Sequence, residues 1–257
     1  MSWTQVSYLY DGTFAGFLSC VFASYQHREE PADFTLFQEA AASFYPQRPV
    51  ETNFQQAQRV YRSFQQFGPQ GQRWAVRGFL TCLPERELWL WRFYQLGFQK
   101  KRAISQDLTH PVVDTVRRAV HHLEEETHLL TGFIRFSQFE GTLVGEISPK
   151  NWVLPLLRPH FCGRYPQESF LLYDKTHRQA LIHVPGKWTI LPVESFQMGA
   201  AGAEERQYRQ LWRTFYDTIA IEGRSNPKCR MTHMPKRYWE NMTEFQEDPN
   251  ALPQGST

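Results

Sequence analysis

The four cysteines of this 257-residue chain, Cys20, Cys82, Cys162 and Cys229, stand at least 62 residues apart, so no CxxC or CxxxC spacing exists. That excludes an iron–sulfur cluster or a compact cysteine zinc site, and the thiols read as reduced and buried, as in a cytoplasmic protein. No run approaches the roughly 20 apolar residues that cross a bilayer. The opening Met1-Ser2-Trp3-Thr4-Gln5 lacks the charged-then-apolar pattern of a secretory signal. A cytoplasmic location without membrane contact is therefore expected. Neither GxGxxG nor GxxxxGK[ST] occurs, so no nucleotide-phosphate loop and no cofactor are expected. An excess of charge is missing too: 28 Lys and Arg face 26 Asp and Glu, a net charge of +2. Any electrostatic footprint for a polyanion must be local.

Aromatic residues, in contrast, are plentiful. Phe, Tyr and Trp make up 15% of the chain, with 20 Phe alone. One reading is a core packed with rings in place of aliphatic side chains. The other is that some rings stack on single-stranded or extruded bases.

Hydrophobic spacing predicts an α+β fold. Residues 6–10 read as a strand, 11–13 as a turn and 14–25 as a helix, an opening β-α unit. Residues 29–50 are predicted to hold only a short strand near 34–37. Helices follow from 53 to Gly68-Pro69, over 72–83, over 85–98 and over about 112–130, so the N-terminal half is largely helical. The 85–98 segment is apolar nearly all round and should be buried. In the last of these helices Val113, Val116, Val120, Leu123 and Leu130 should face inward. Residues 131–139 and 142–147 read as strands joined at Glu140-Gly141, 151–161 as a helix, and 170–173 and 180–184 as strands, with a further strand signal over 187–191. The order ββαββ predicts an antiparallel sheet, followed by C-terminal helices over 204–221 and from Pro235. Residues 1–245 read as a single compact domain with a sub-division near 130, and 246–257 as a disordered tail.

The strongest candidate site is basic. From Arg206 to Arg237 there are eight Lys or Arg residues, Arg206, Arg209, Arg213, Arg224, Lys228, Arg230, Lys236 and Arg237, against two acids, Asp217 and Glu222. Such groups neutralise phosphates and release counterions, and the adjoining Tyr238 and Trp239 are rings of the kind that stack on bases. The plainer alternative is a solvated basic face with both rings in the core. Asp11-Gly12-Thr13 sits where a strand meets a helix, a place for an anion or a reactive carboxylate, or simply for a capping turn. His121, Glu125 and His128 share a helix face but lack HExxH spacing, and read as a solvated polar face. No metal site is expected. His160 and Cys162 do not by themselves make a nucleophile and base, because that chemistry needs a third, orienting group.

Several segments together resemble a known family. They are Tyr10-Asp11-Gly12-Thr13-Phe14-Ala15-Gly16-Phe17-Leu18, Thr131-Gly132-Phe133-Ile134-Arg135-Phe136, and Pro149-Lys150 through Leu154-Pro155-Leu156-Leu157 to His160-Phe161. Two more are Leu211-Trp212-Arg213 through Ile219-Ala220-Ile221-Glu222 to Asn226-Pro227, and Met234-Pro235-Lys236-Arg237-Tyr238-Trp239. The chain is similar to a bacterial family of DNA-metabolism and DNA-repair proteins built on a domain of unknown function. Its members are encoded beside a radical-SAM protein and are sometimes fused to a uracil-DNA-glycosylase-like domain. The resemblance implies DNA and a radical-SAM enzyme as partners, and implies no catalytic residues. Asn151 stands where the resemblance implies a histidine after Pro149-Lys150.

Three functions follow as expectations. The first is a DNA-binding protein that acts with a partner enzyme through its basic C-terminal segment, with Asp11, Thr13, Arg135, His160, Arg164 and Glu222 as pocket candidates. The second is a stand-alone enzyme on damaged DNA, removing bases or processing strands, with Asp11 as its candidate acid or base. The third is a protein–protein scaffold without DNA contact.

Overall fold

A computed structural model describes residues 3–40, 42–194, 196, 207, 211 and 235–242. It has the mixed α+β architecture read from the spacing. The chain divides into two compact units, Met1–Glu124 and Glu125–Thr257.

The first unit opens with strand β1 (Thr4–Tyr10), helix α1 (Phe14–His27), and strands β2 (Glu29–Leu36) and β3 (Gln47–Pro49). These strands form a parallel three-stranded sheet in the order β2-β1-β3. Sequence spacing found one short strand where there are two. Pro31 and Pro49 obscured β2 and β3, yet both lie in strands that flank β1, where a missing N–H is tolerated. Buried cross-strand bonds tie the sheet together: the Tyr8 hydroxyl donates to Glu29 at 2.7 Å, and Arg48 clamps the same carboxylate.

Helices α2 (Phe54–Ser63), α3 (Gly68–Arg77), α4 (Arg86–Lys100) and α5 (Pro111–Phe133) follow, with 3₁₀ turns between several of them. Gly68-Pro69 does end one helix, because Gly68 has φ +71°, and Pro69 then starts the next. The core of this unit is aromatic, as one reading of the composition required. Phe17, Phe64, Phe67, Phe93, Trp91 and Tyr94 are all buried, and Phe64 lies 4.5 Å centroid to centroid from Tyr94. Within α5, Val113, Val116, Val120, Leu123 and Leu130 are buried as their spacing predicts.

The second unit carries β4 (Phe136–Phe139), β5 (Thr142–Ile147), α6 (Leu154–Arg164), β6 (Phe170–Asp174), β7 (Gln179–Val184) and β8 (Lys187–Pro192). They form one sheet in the order β4-β5-β6-β7-β8. Two expectations are corrected here. Residues 131–133 belong to α5, so β4 is shorter than 131–139. The sheet is also not wholly antiparallel: β5 and β6 pair in parallel, with Glu146 opposite Tyr173 and Ile147 opposite Asp174. A helix between two neighbouring strands carries the chain back to the same end of the sheet, which makes the pair parallel. The helix over 204–221 lies outside the described residues, except that Gln207 and Leu211 are helical. Leu211 is exposed. From Pro235 the chain forms a 3₁₀ turn, Lys236–Asn241, with Tyr238 and Met242 buried.

Candidate functional site at the ends of the parallel strand pair

In the first unit, Asp11 follows β1, the central strand of its sheet. Its Oδ1 accepts from the Thr13 N–H at 2.9 Å and the Thr13 hydroxyl at 2.7 Å, and its Oδ2 accepts from the Thr52 hydroxyl at 2.6 Å. Thr13 in turn caps α1 by accepting from the Gly16 N–H. A Cβ at Gly16 would stand 2.1 Å from Asp11 Oδ1, so only glycine lets the helix start this close. Partial burial works against the charge on Asp11, but these hydrogen bonds outweigh it and hold its carboxyl below the usual aspartate range. Asp11 is thus a fully engaged acceptor and a weak base.

The second unit gathers its polar groups where β5 and β6 end. Four segments meet there: α5, the loop after β5, the turn after β6, and the 3₁₀ turn Lys236–Asn241. Glu126 of α5 is 2% exposed. It accepts from the backbone N–H groups of Lys150 (3.1 Å) and Asn151 (2.9 Å) and from the Asn151 amide (2.7 Å). Arg237 pairs with it at 3.3 Å through Nη2, which also donates to the Tyr238 hydroxyl. Lys175 Nζ bonds Glu240 at 2.6 Å and lies 3.8 Å from Glu146. The Asn241 amide donates to Ser148 at 3.2 Å, while its Oδ1 is buried without a partner.

At the β6 end, Asp174 is 1% exposed. Its Oδ1 accepts from the N–H groups of Thr176 and His177, and its Oδ2 lies 2.6 Å from His177 Nδ1. The Trp152 ring packs on the His177 ring at 4.1 Å and 34°. This is an imidazole oriented by a carboxylate on one side and an indole on its face, the arrangement that fixes a tautomer and leaves Nε2 to act.

The sequence candidates scatter. Asp11 and Thr13 belong to the first unit. Arg135, His160 and Arg164 belong to the second but do not converge: Arg135 donates to the Gly132 carbonyl at the end of α5, His160 is exposed and edge-on to Phe161, and exposed Arg164 lies over the Tyr165 ring. Arg206, Arg209, Arg213, Glu222, Arg224, Lys228 and Arg230 lie outside the described residues. Lys236 and Arg237 are exposed beside the site, with Lys236 5.9 Å over the Trp239 ring. His121, Glu125 and His128 are exposed, and among the described residues no three His, Cys, Asp or Glu groups could hold a metal together.

Glu126, Asp174 and His177 escaped the sequence reading, though a signal existed for each. Glu126 is three residues after Leu123 and four before Leu130, on the inward stripe of α5. A carboxylate at such a position needs buried partners. Asp174 and His177 are three apart in a hairpin turn, a spacing at which aspartate closes the turn and can also meet a ring.

Among known proteins, a family model described as a domain of unknown function, DUF4130, matches residues 84–244, which include every member of this site. No curated protein and no solved structure matches the chain.

Proposed function

The chain belongs to the DUF4130 family, and within it we propose that this protein acts on or beside DNA, gripping phosphate through the basic segment that runs into the 3₁₀ turn Lys236–Asn241. One observation carries the reading: Lys236 and Arg237 stand side by side, exposed, on a turn whose Tyr238 and Met242 are buried. A basic pair on an anchored turn gives up less freedom on binding than one on a loose arm. Glu126 holds Arg237 by one nitrogen, and a guanidinium has further donors for a phosphate. Lys150, exposed on the loop tied to the same carboxylate, adds a third positive group. The remaining bases, Arg206, Arg209, Arg213, Arg224, Lys228 and Arg230, extend the same grip in this proposal. The protein works with a partner enzyme, of the radical-SAM type that the family resemblance implies.

The test is fluorescence anisotropy of labelled single-stranded, duplex and uracil-containing DNA over a salt series. Binding should weaken steeply with salt, and Lys150→Ala with Lys236→Ala should flatten the duplex slope by about 0.9 for each phosphate no longer neutralised. A correctly folded double variant with unaltered affinity and slope would sink the reading. A second reading, that the protein itself processes strands, is favoured by the Asp174–His177 pair.

A further inference from the structure

We propose that His177 is the catalytic base of a phosphodiester-hydrolysing site in the second unit, with Asp174 and Trp152 as its positioning residues. This rests on the reading of the protein as a DNA binder and moves the reactive centre away from Asp11. The choice between them is one of unused capacity. Every bond Asp11 makes goes to closing the β1–α1 turn and holding Thr52.

A hairpin turn alone does not account for the His177 arrangement. Asp174 Oδ1 already closes the turn by accepting from the Thr176 and His177 N–H groups. The second oxygen is given to the imidazole, and Trp152, from the other side of helix α6 in the chain, covers the ring face. A turn needs neither. With Nδ1 given to Asp174, the free lone pair lies on Nε2. Among the described residues, the buried side-chain polar atoms that lack a partner are Arg117 Nε and Asn241 Oδ1. The His177 side chain is 7% exposed, and its Nε2 is not among those buried, unpartnered atoms. The setting is one in which ligands collect, outside the carboxyl ends of a parallel strand pair. Lys150, Lys236 and Arg237, on segments of the same network, select a polyanion, while Lys175 in the same turn as His177 is taken up by Glu240 and Glu146.

In the proposed step, Nε2 takes a proton from water as the water oxygen bonds to phosphorus. The bond from phosphorus to the departing sugar oxygen breaks with its electron pair, and the imidazolium returns the proton to that oxygen. Water is added across one P–O bond, and the histidine ends neutral.

The experiment incubates the full chain with end-labelled single-stranded and duplex DNA, in EDTA and in Mg²⁺, from pH 5 to 9, and resolves products on a gel. Strand cleavage is expected. His177→Gln should lower it about 10²- to 10⁴-fold. Asp174→Asn should lower kcat and leave KM for DNA about unchanged, because it loosens the ring that Asp174 orients without touching the basic groups that grip phosphate. No product in either medium, at protein concentrations where anisotropy reports bound DNA, overturns the proposal and leaves the binding reading standing. Absence of binding overturns both. Product formation undiminished in a His177→Gln variant with wild-type melting also overturns it.

Discussion

Asp11 and Asp174 are the same local device in two settings. Each stands at the end of a strand that has a parallel neighbour, and each accepts from the backbone N–H two residues on. They differ in the side chain that takes the rest of the carboxylate. At Asp11 it is a pair of threonine hydroxyls, and the result is a helix cap. At Asp174 it is an imidazole, and the result is an oriented proton carrier. A strand-end aspartate therefore says little about chemistry until its partner is known. The units differ in the same sense overall. The described core of the first is dominated by rings, with Glu29 buried against Tyr8 and Arg48, while the second buries Glu126 and Asp174 at one end of its sheet.

The largest expected effect tests the aromatic side of that contrast. Phe64→Ala removes a buried ring that packs on Phe67 and Tyr94 and should cost about 3–5 kcal/mol in urea unfolding. A loss under about 1 kcal/mol would mean the rings do not carry the stability of the first unit. Next is Glu126→Gln in the second unit. It keeps one acceptor oxygen, so either the Lys150 N–H or the Asn151 groups lose theirs, it leaves Arg237 without its charge partner, and it should cost about 1–3 kcal/mol. If it costs nothing, Glu126 is not what anchors the basic turn.

Asp11 provides a smaller and pH-dependent test. Thr13→Ala deletes the cap of α1 and should cost about 1 kcal/mol. Because Asp11 titrates below its unfolded value, its contribution is complete above about pH 4 and is lost as pH falls through the lowered folded value. Asp11→Asn should therefore destabilise at neutral pH and flatten the acid limb of stability. An acid limb unchanged by the substitution would show that Asp11 is not held as described. The smallest effect should come from Glu124→Gln, which breaks partly exposed pairs with Arg73 and Arg77 and should change stability by about 0–1 kcal/mol.

Much of this was legible in spacing. The buried stripe of α5, the burial of α4 and the hairpin at Glu140-Gly141 were all legible in the chain. Strand partners did not. Periodicity marks a strand's face but carries no direction, so the parallel pairing of β5 with β6 could not be read from it. The site was hidden for a related reason. Asp174 and His177 are near neighbours in the chain, but Trp152 precedes them by more than one element, and Glu126 meets Asn151 and Arg237 from other segments. Asn151, read as a departure from a histidine, proves to be the amide that holds Glu126.

By itself the sequence determined the fold class and the inward stripe of α5, because each follows a repeated period, and it offered the ring-filled core and the capped β1–α1 turn each as one of two readings. Tertiary structure alone decided that β5 and β6 run the same way, that Glu126 is paired, and that a histidine in a hairpin turn lies against an indole. Those outcomes depend on which distant segments a fold brings together, and no local period encodes that.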